Sequence, residues 1–183
     1  SAWTEHFDYA QMADLVAAHL REGFAESGPV DVVGHSMGGK VAMVLALRHS
    51  DLVRRLVVVD ISPVSSGGSR GEFQHLLGSL AALDLPSLER RSDVDEALAA
   101  AVPNDTVRSF LLQNLKHVRT PENRNGWAWE LNLGLLGGHL DEVADWPDVG
   151  EVSYPGPVLW VAGAESPYKI GRASCRERVS SPV

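Results

Sequence analysis

Cysteine is nearly absent from this chain of 183 residues, Cys175 being the only one. One thiol cannot build a disulfide framework, and its scarcity fits a cytoplasmic enzyme. Long apolar runs are missing too, so neither a signal peptide nor a membrane-spanning segment is read. Positive charge is in deficit, with 16 Lys and Arg against 24 Asp and Glu and a formal net charge of −8. That balance opposes phosphate backbones and anionic lipid, which argues against nucleic-acid and membrane partners. What is present, 44% apolar residues over a length that suits one domain, is enough for a globular core.

The most informative stretch is Val30-Asp31-Val32-Val33-Gly34-His35-Ser36-Met37-Gly38-Gly39-Lys40. Four β-prone residues run into Gly-x-Ser-x-Gly, and the nearly all-apolar segment from Val41 to Leu47 follows. A strand, a sharp turn and a buried helix are predicted, with Ser36 at the apex as nucleophile. The turn demands strained backbone at Ser36, and Gly34 and Gly38 are expected to keep side chains out where strand and helix crowd. The N–H of Met37, at the helix start, becomes a candidate oxyanion donor. A Gly-rich turn without chemistry can carry the same five residues; the flanking strand and helix separate the two cases.

A serine nucleophile needs a base, and the base needs an orienting acid. Arg55-Leu56-Val57-Val58-Val59-Asp60 reads as a second buried parallel strand ending in a carboxylate. Catalytic groups of open α/β sheets gather at the carboxyl ends of strands, which makes Asp60 the first candidate acid. Capping of the Ser62-Pro63 turn is its structural alternative. A third such strand, Val158 to Ala162, is followed by Gly163-Ala164-Glu165-Ser166.

The fragments FDYAQMADLV, VDVVGHSMGGKVAMVLALRH, LVVVDISPV and PGPVLWVAGAESPY together resemble the α/β-hydrolase superfamily, and within it the small bacterial YbfF-like esterases. The resemblance covers roughly Phe7 to Tyr168. It implies an α/β fold, a partial α/β-hydrolase with parallel strands around Val32, Val58 and Leu159 and a helical cap insertion. It also implies hydrolysis of small carboxylic esters or thioesters through an acyl-enzyme, without metal or cofactor. Carbon–carbon bond hydrolysis, acyl transfer and a non-catalytic binding module are the alternatives. That branch implies the acid at Asp60. Many relatives carry it three residues beyond the glycine after the later strand, a position held here by Ser166; Glu165, one residue short, is the other candidate. The base and the second oxyanion donor are implied to lie on loops that this chain does not carry. All seven histidines precede the last strand: His35 points away from the hydroxyl, His49 closes the helix, His19 lies on the first helix, and His75, His117 and His139 belong to the insertion. The chain therefore reads as a fragment entered mid-gene, with an unpaired edge at Val30 to Val33 that invites aggregation.

The expected organisation is a core over 1–64, a helical cap over 65–153, a returning core strand over 154–168, and a tail over 169–183. Asp8 is predicted to cap a helix from Tyr9 to about Gly23 with Met12, Leu15, Val16, His19 and Leu20 on one stripe. Short helices follow from Ser65 to Ser153, one begun by Ser92 in a Ser-x-x-Asp pattern and one capped by Asn104 or Asp105. Phe73, Leu76, Leu77, Phe110, Leu111, Trp127, Trp129, Leu135 and Leu136 either line an acyl pocket or form the cap's own core. Arg119 and Arg124 are candidates for an anionic leaving group, and Lys40 is expected to cap or pair structurally rather than react. The string KIGRASCRERV from Lys169 matches a translated sequencing-adapter read-through, so genuine sequence is expected to stop near Tyr168. Setting the tail aside leaves 12 basic and 23 acidic residues, a net charge of −11, and removes Cys175.

Overall fold

The computed structural model describes residues 6–65, 70–118 and 126–163. Glu165, Ser166, Arg119, Arg124 and the 169–183 tail lie outside the described residues.

The elements follow from capping and from the apolar pattern. Helix α1 spans Tyr9–Arg21, and the Asp8 carboxylate accepts from the N–H groups of Ala10 and Gln11. Its buried face differs from the predicted stripe. Tyr9, Ala13 and Ala17 are buried, whereas Leu15 and Val16 are exposed. Close helix packing selects small side chains at Ala13 and Ala17, one turn apart on the face toward helix α2, and turns Leu15 and Val16 outward.

Strand β1 (Val30–His35), helix α2 (Met37–Arg48) and strand β2 (Val53–Val59) follow in order. Helix α2 is buried from Gly39 through Leu47 except at Val41, as its apolar sequence dictates. Strand β2 is central in a parallel three-stranded sheet, between β1 and the late strand β5 (Val158–Val161). The register pairs Val32 with Leu56, His35 with Val59, and Val58 with Trp160. All three predicted strands are therefore present and parallel. They are half-buried rather than fully buried. Leu56, Val58 and Val158 lie in the core, while Val33, Leu159 and Val161 on the opposite face are 69%, 47% and 45% exposed. Alternate residues of a strand face opposite sides, and among the described residues α2 packs on one side of the sheet.

Between β2 and β5 lie α3 (Arg70–Ala81), α4 (Arg91–Ala99), α5 (Asp105–Leu111), strands β3 (Leu115–Val118) and β4 (Gly126–Trp129), then α6 (Leu133–Gly138) and α7 (Leu140–Ala144). The antiparallel pair β3–β4 corrects the all-helical expectation for this segment. Strand β4 carries Gly-Trp-Ala-Trp, whose aromatics suit a pleated surface. Helix α4 begins two residues earlier than the Ser92 pattern implies, since the Asp93 carboxylate accepts from the Arg90 N–H at 3.0 Å. Asn104 is the cap of α5, accepting from Thr106 and Val107 at 3.0 and 3.1 Å.

Two compact units result. One holds residues 7–65 and 142–163; the other holds residue 6 with 70–118 and 126–141. The second boundary falls at 141/142, earlier than the expected return at 154. The later unit has its own core of Leu80, Leu85, Val94, Leu98, Val102, Leu111, Leu112 and Leu115. Leu76, Trp127 and Trp129 pack against it, so these residues and Leu111 serve as core, while Phe110 is 57% exposed.

Candidate active site

Ser36 stands between the last residue of β1 and the first of α2, at φ 52° and ψ −125°. Positive φ in a non-glycine residue costs on the order of 1–3 kcal/mol and persists only where surrounding bonds fix it. Those bonds are present. The Ser36 N–H donates to the Val59 carbonyl of the adjacent strand at 3.0 Å, and the Ser36 carbonyl accepts from Gly39 and Lys40 at 2.8 and 3.2 Å. Met37 opens α2, where the first N–H groups lack an intrahelical acceptor.

The crowding falls on Gly34 and Gly39, not on Gly38. A Cβ on Gly34 would stand 2.4 Å from the Gly38 carbonyl oxygen and 2.7 Å from the Gly39 Cα. One on Gly39 would stand 2.5 Å from Ile61 Cγ2, whereas nothing lies within 4 Å of a Cβ on Gly38. The second glycine of the Gly-x-Ser-x-Gly pattern is thus spatially free, and the glycine after it makes the close approach.

Asp60 directly follows β2 and is the other described non-glycine residue at positive φ, 54°. Its N–H donates to the Val161 carbonyl at 2.7 Å, and its Oδ1 accepts from the Gly163 N–H at 3.2 Å. Because His35 pairs with Val59, Ser36 and Asp60 follow paired residues at the carboxyl ends of neighbouring parallel strands. Sequence reasoning did not find the strain at Asp60, since aspartate carries no marker for it beyond a tolerance of that region. Gly163 was visible as the glycine after β5, but its amide's role was not.

Several histidines are engaged elsewhere. His49 Nε2 meets Asp14 at 2.7 Å, His75 Nε2 meets the Ala101 carbonyl at 2.8 Å, and His139 Nδ1 meets the Leu135 carbonyl at 3.0 Å. The His117 ring stands edge-on to Trp127. Among the described residues no group of three His, Cys, Asp or Glu side chains converges as a metal site, and no helix is long and apolar enough to cross a membrane.

Lys40 is fully buried in the sheet unit's core, at 1% exposure. Its ammonium donates to the carbonyls of Val143, Ala144 and Asp145 at 3.2, 2.8 and 2.6 Å. The Tyr9 hydroxyl donates to the same Val143 carbonyl at 2.8 Å, and the Tyr9 ring lies 5.6 Å from the ammonium. Burial pushes Lys40 down to about 8, opposed by the Asp145 charge, and burial raises the Tyr9 phenol. The backbone N–H of Trp146 and the Ser65 hydroxyl hold Asp145 below the usual carboxylate range. The expected structural role is the observed one, with backbone carbonyls rather than a carboxylate as partners.

A parallel sheet flanked by helices, with a strained serine on the turn from strand to helix, is the α/β-hydrolase architecture. The sequence model of the Alpha/beta hydrolase family matches residues 1–179, past the point at Tyr168 where the sequence resemblance was expected to end. The chain belongs to that family. The mouse protein "sn-1-specific diacylglycerol lipase ABHD11" is 40% identical over 146 residues, covering 76% of this chain and 45% of the mouse protein. "Ethanol acetyltransferase 1" of Cyberlindnera fabianii is 28% identical over 156 residues, covering 76% of this chain and 46% of that protein. Among solved structures, a "Marine microorganism esterase" superposes with a TM-score of 0.81 at 23% identity, over 92% of this chain and 63% of that one, which shows the shared fold. The chain spans less than half the length of these curated relatives.

Proposed function

We propose that Ser36 is the nucleophile and Asp60 the orienting acid of a hydrolase acting on carboxylic esters or thioesters. The observation that carries this reading is the strained Ser36 on a strand-to-helix elbow beside Asp60. The Ser36 hydroxyl attacks the substrate carbonyl while its proton passes to an imidazole oriented by Asp60. The Met37 N–H stabilises the resulting oxyanion. Collapse expels the alcohol or thiol, which takes the proton from the imidazole, and water then hydrolyses the acyl-enzyme. Ester substrates are favoured over thioesters by the lipase relative.

His49, His75, His117 and His139 each have another partner, which supports a base outside this set. On this reading the chain alone is expected to be inactive. The test is p-nitrophenyl acetate hydrolysis by the purified chain and by a full-length parent, with Ser36→Ala in each, beside size-exclusion chromatography. Turnover in the parent that vanishes in Ser36→Ala supports the reading; undiminished turnover in that variant overturns it. Ser36-dependent turnover by the chain itself would overturn the missing-base proposal.

A second reading, acyl transfer to an alcohol, is favoured by the acetyltransferase relative. Both routes share the acyl-enzyme and differ in what attacks it. Adding ethanol to the parent's reaction separates them, because a transferase makes the ethyl ester in preference to free acid.

A further inference from the structure

The chain leaves the sheet unit beyond Ser65 and re-enters it at residue 142. Lys40 lies one turn beyond Ser36, to whose carbonyl its N–H is bonded. An ammonium has three donors and no acceptor. Here those donors face three carbonyls at the end of α7, a helix terminus where such oxygens lack backbone partners. Asp145, whose carbonyl is one of the three, accepts the Trp146 N–H on its carboxylate at 2.8 Å.

We propose that Lys40 is a lock that fastens the returning segment 143–145 of the sheet unit to the first turn of α2. A methionine would fill the same space without the cost of burying a charge. Lysine there adds direction, since three bonds are satisfied together only when 143–145 takes one path. Tyr9, donating to the same Val143 carbonyl, fixes that path from α1.

Hydrogen exchange on this chain tests the lock without any need for turnover, so an inactive chain still answers it. Lys40→Met removes all three donors and keeps the apolar stem. Protection of segment 140–146 should fall at least tenfold, while amides around Val58 change less than twofold. Tyr9→Phe, which removes the other donor to the Val143 carbonyl, should loosen 140–146 several-fold in the native background and add little in the Lys40→Met background. Neighbours acting through one network are non-additive in this way, whereas separate packing roles add. Unchanged protection in Lys40→Met, loss spread evenly over the sheet, or additive effects each overturn the proposal. Should Lys40→Met fail to fold, Tyr9→Phe decides: it should loosen 140–146 and spare Val58, and an unchanged 140–146 overturns the lock.

Discussion

At Gly34 and Gly39 the chain has almost no choice of residue, whereas the Leu80–Leu115 core of the later unit is filled by interchangeable aliphatics. In the first stretch backbone meets backbone: the Gly38 carbonyl would stand 2.4 Å from any Cβ on Gly34. In the second, side chains meet side chains, and any set of the right volume serves. The contrast separates two sources of specificity. A turn that must hold a reactive group is dictated atom by atom, and a core that must only exclude water is dictated by volume.

The largest expected effect is on chemistry. In a full-length parent, Asp60→Asn should lower kcat by about four orders of magnitude, the loss seen when the orienting acid of a serine protease is neutralised. Glu165→Gln should change it little, and an equal or reversed ranking moves the acid to Glu165. Next, Gly34→Ala should destabilise the chain by about 3 kcal/mol or more in urea unfolding, because backbone atoms cannot step aside. A small loss would break the contrast with the later unit. There, Leu98→Ala should cost about 2–5 kcal/mol and Leu98→Met less than about 1.5 kcal/mol, a tolerance absent at Gly34. Gly38→Ala should be neutral or stabilising by up to about 1 kcal/mol, since its Cβ enters open space within a helix. A loss comparable to Gly34→Ala would return Gly38 to the crowded set.

The pH dependence of stability carries a smaller effect. Lys40 is lowered from 10.5 to about 8 in the folded chain. Between those values the unfolded chain binds more protons, so this group makes stability rise with pH above about 8. Tyr9, raised from 10.0, opposes it above pH 10. Urea midpoints from pH 7 to 10 should therefore climb in the native chain relative to Lys40→Met; a parallel course for the two assigns the slope to other groups.

Legibility followed the same division. The three strands and the Ser36 turn were readable because strand, turn and helix each impose their own residue types over a short span. The partner of the turn was misassigned to Gly38, because the pattern records where glycines recur and not which one meets Ile61. Helix α1 was located correctly by Asp8, yet its buried face was not, since helix proximity outweighed side-chain hydrophobicity at Leu15 and Val16. The β3–β4 pair was missed because four-residue strands leave too short a period to read. The Lys40 bonds were beyond reach, as backbone carbonyls a hundred residues away have no letter in the sequence.

The bonds from Lys40 to 143–145 also bear on how such proteins diversify. Because the returning segment is pinned within the sheet unit, the stretch before it is a cassette with a fixed far end. A chimaera that keeps Tyr9, Lys40 and 143–145 should preserve the sheet unit, while one cut two residues inside that anchor should lose it.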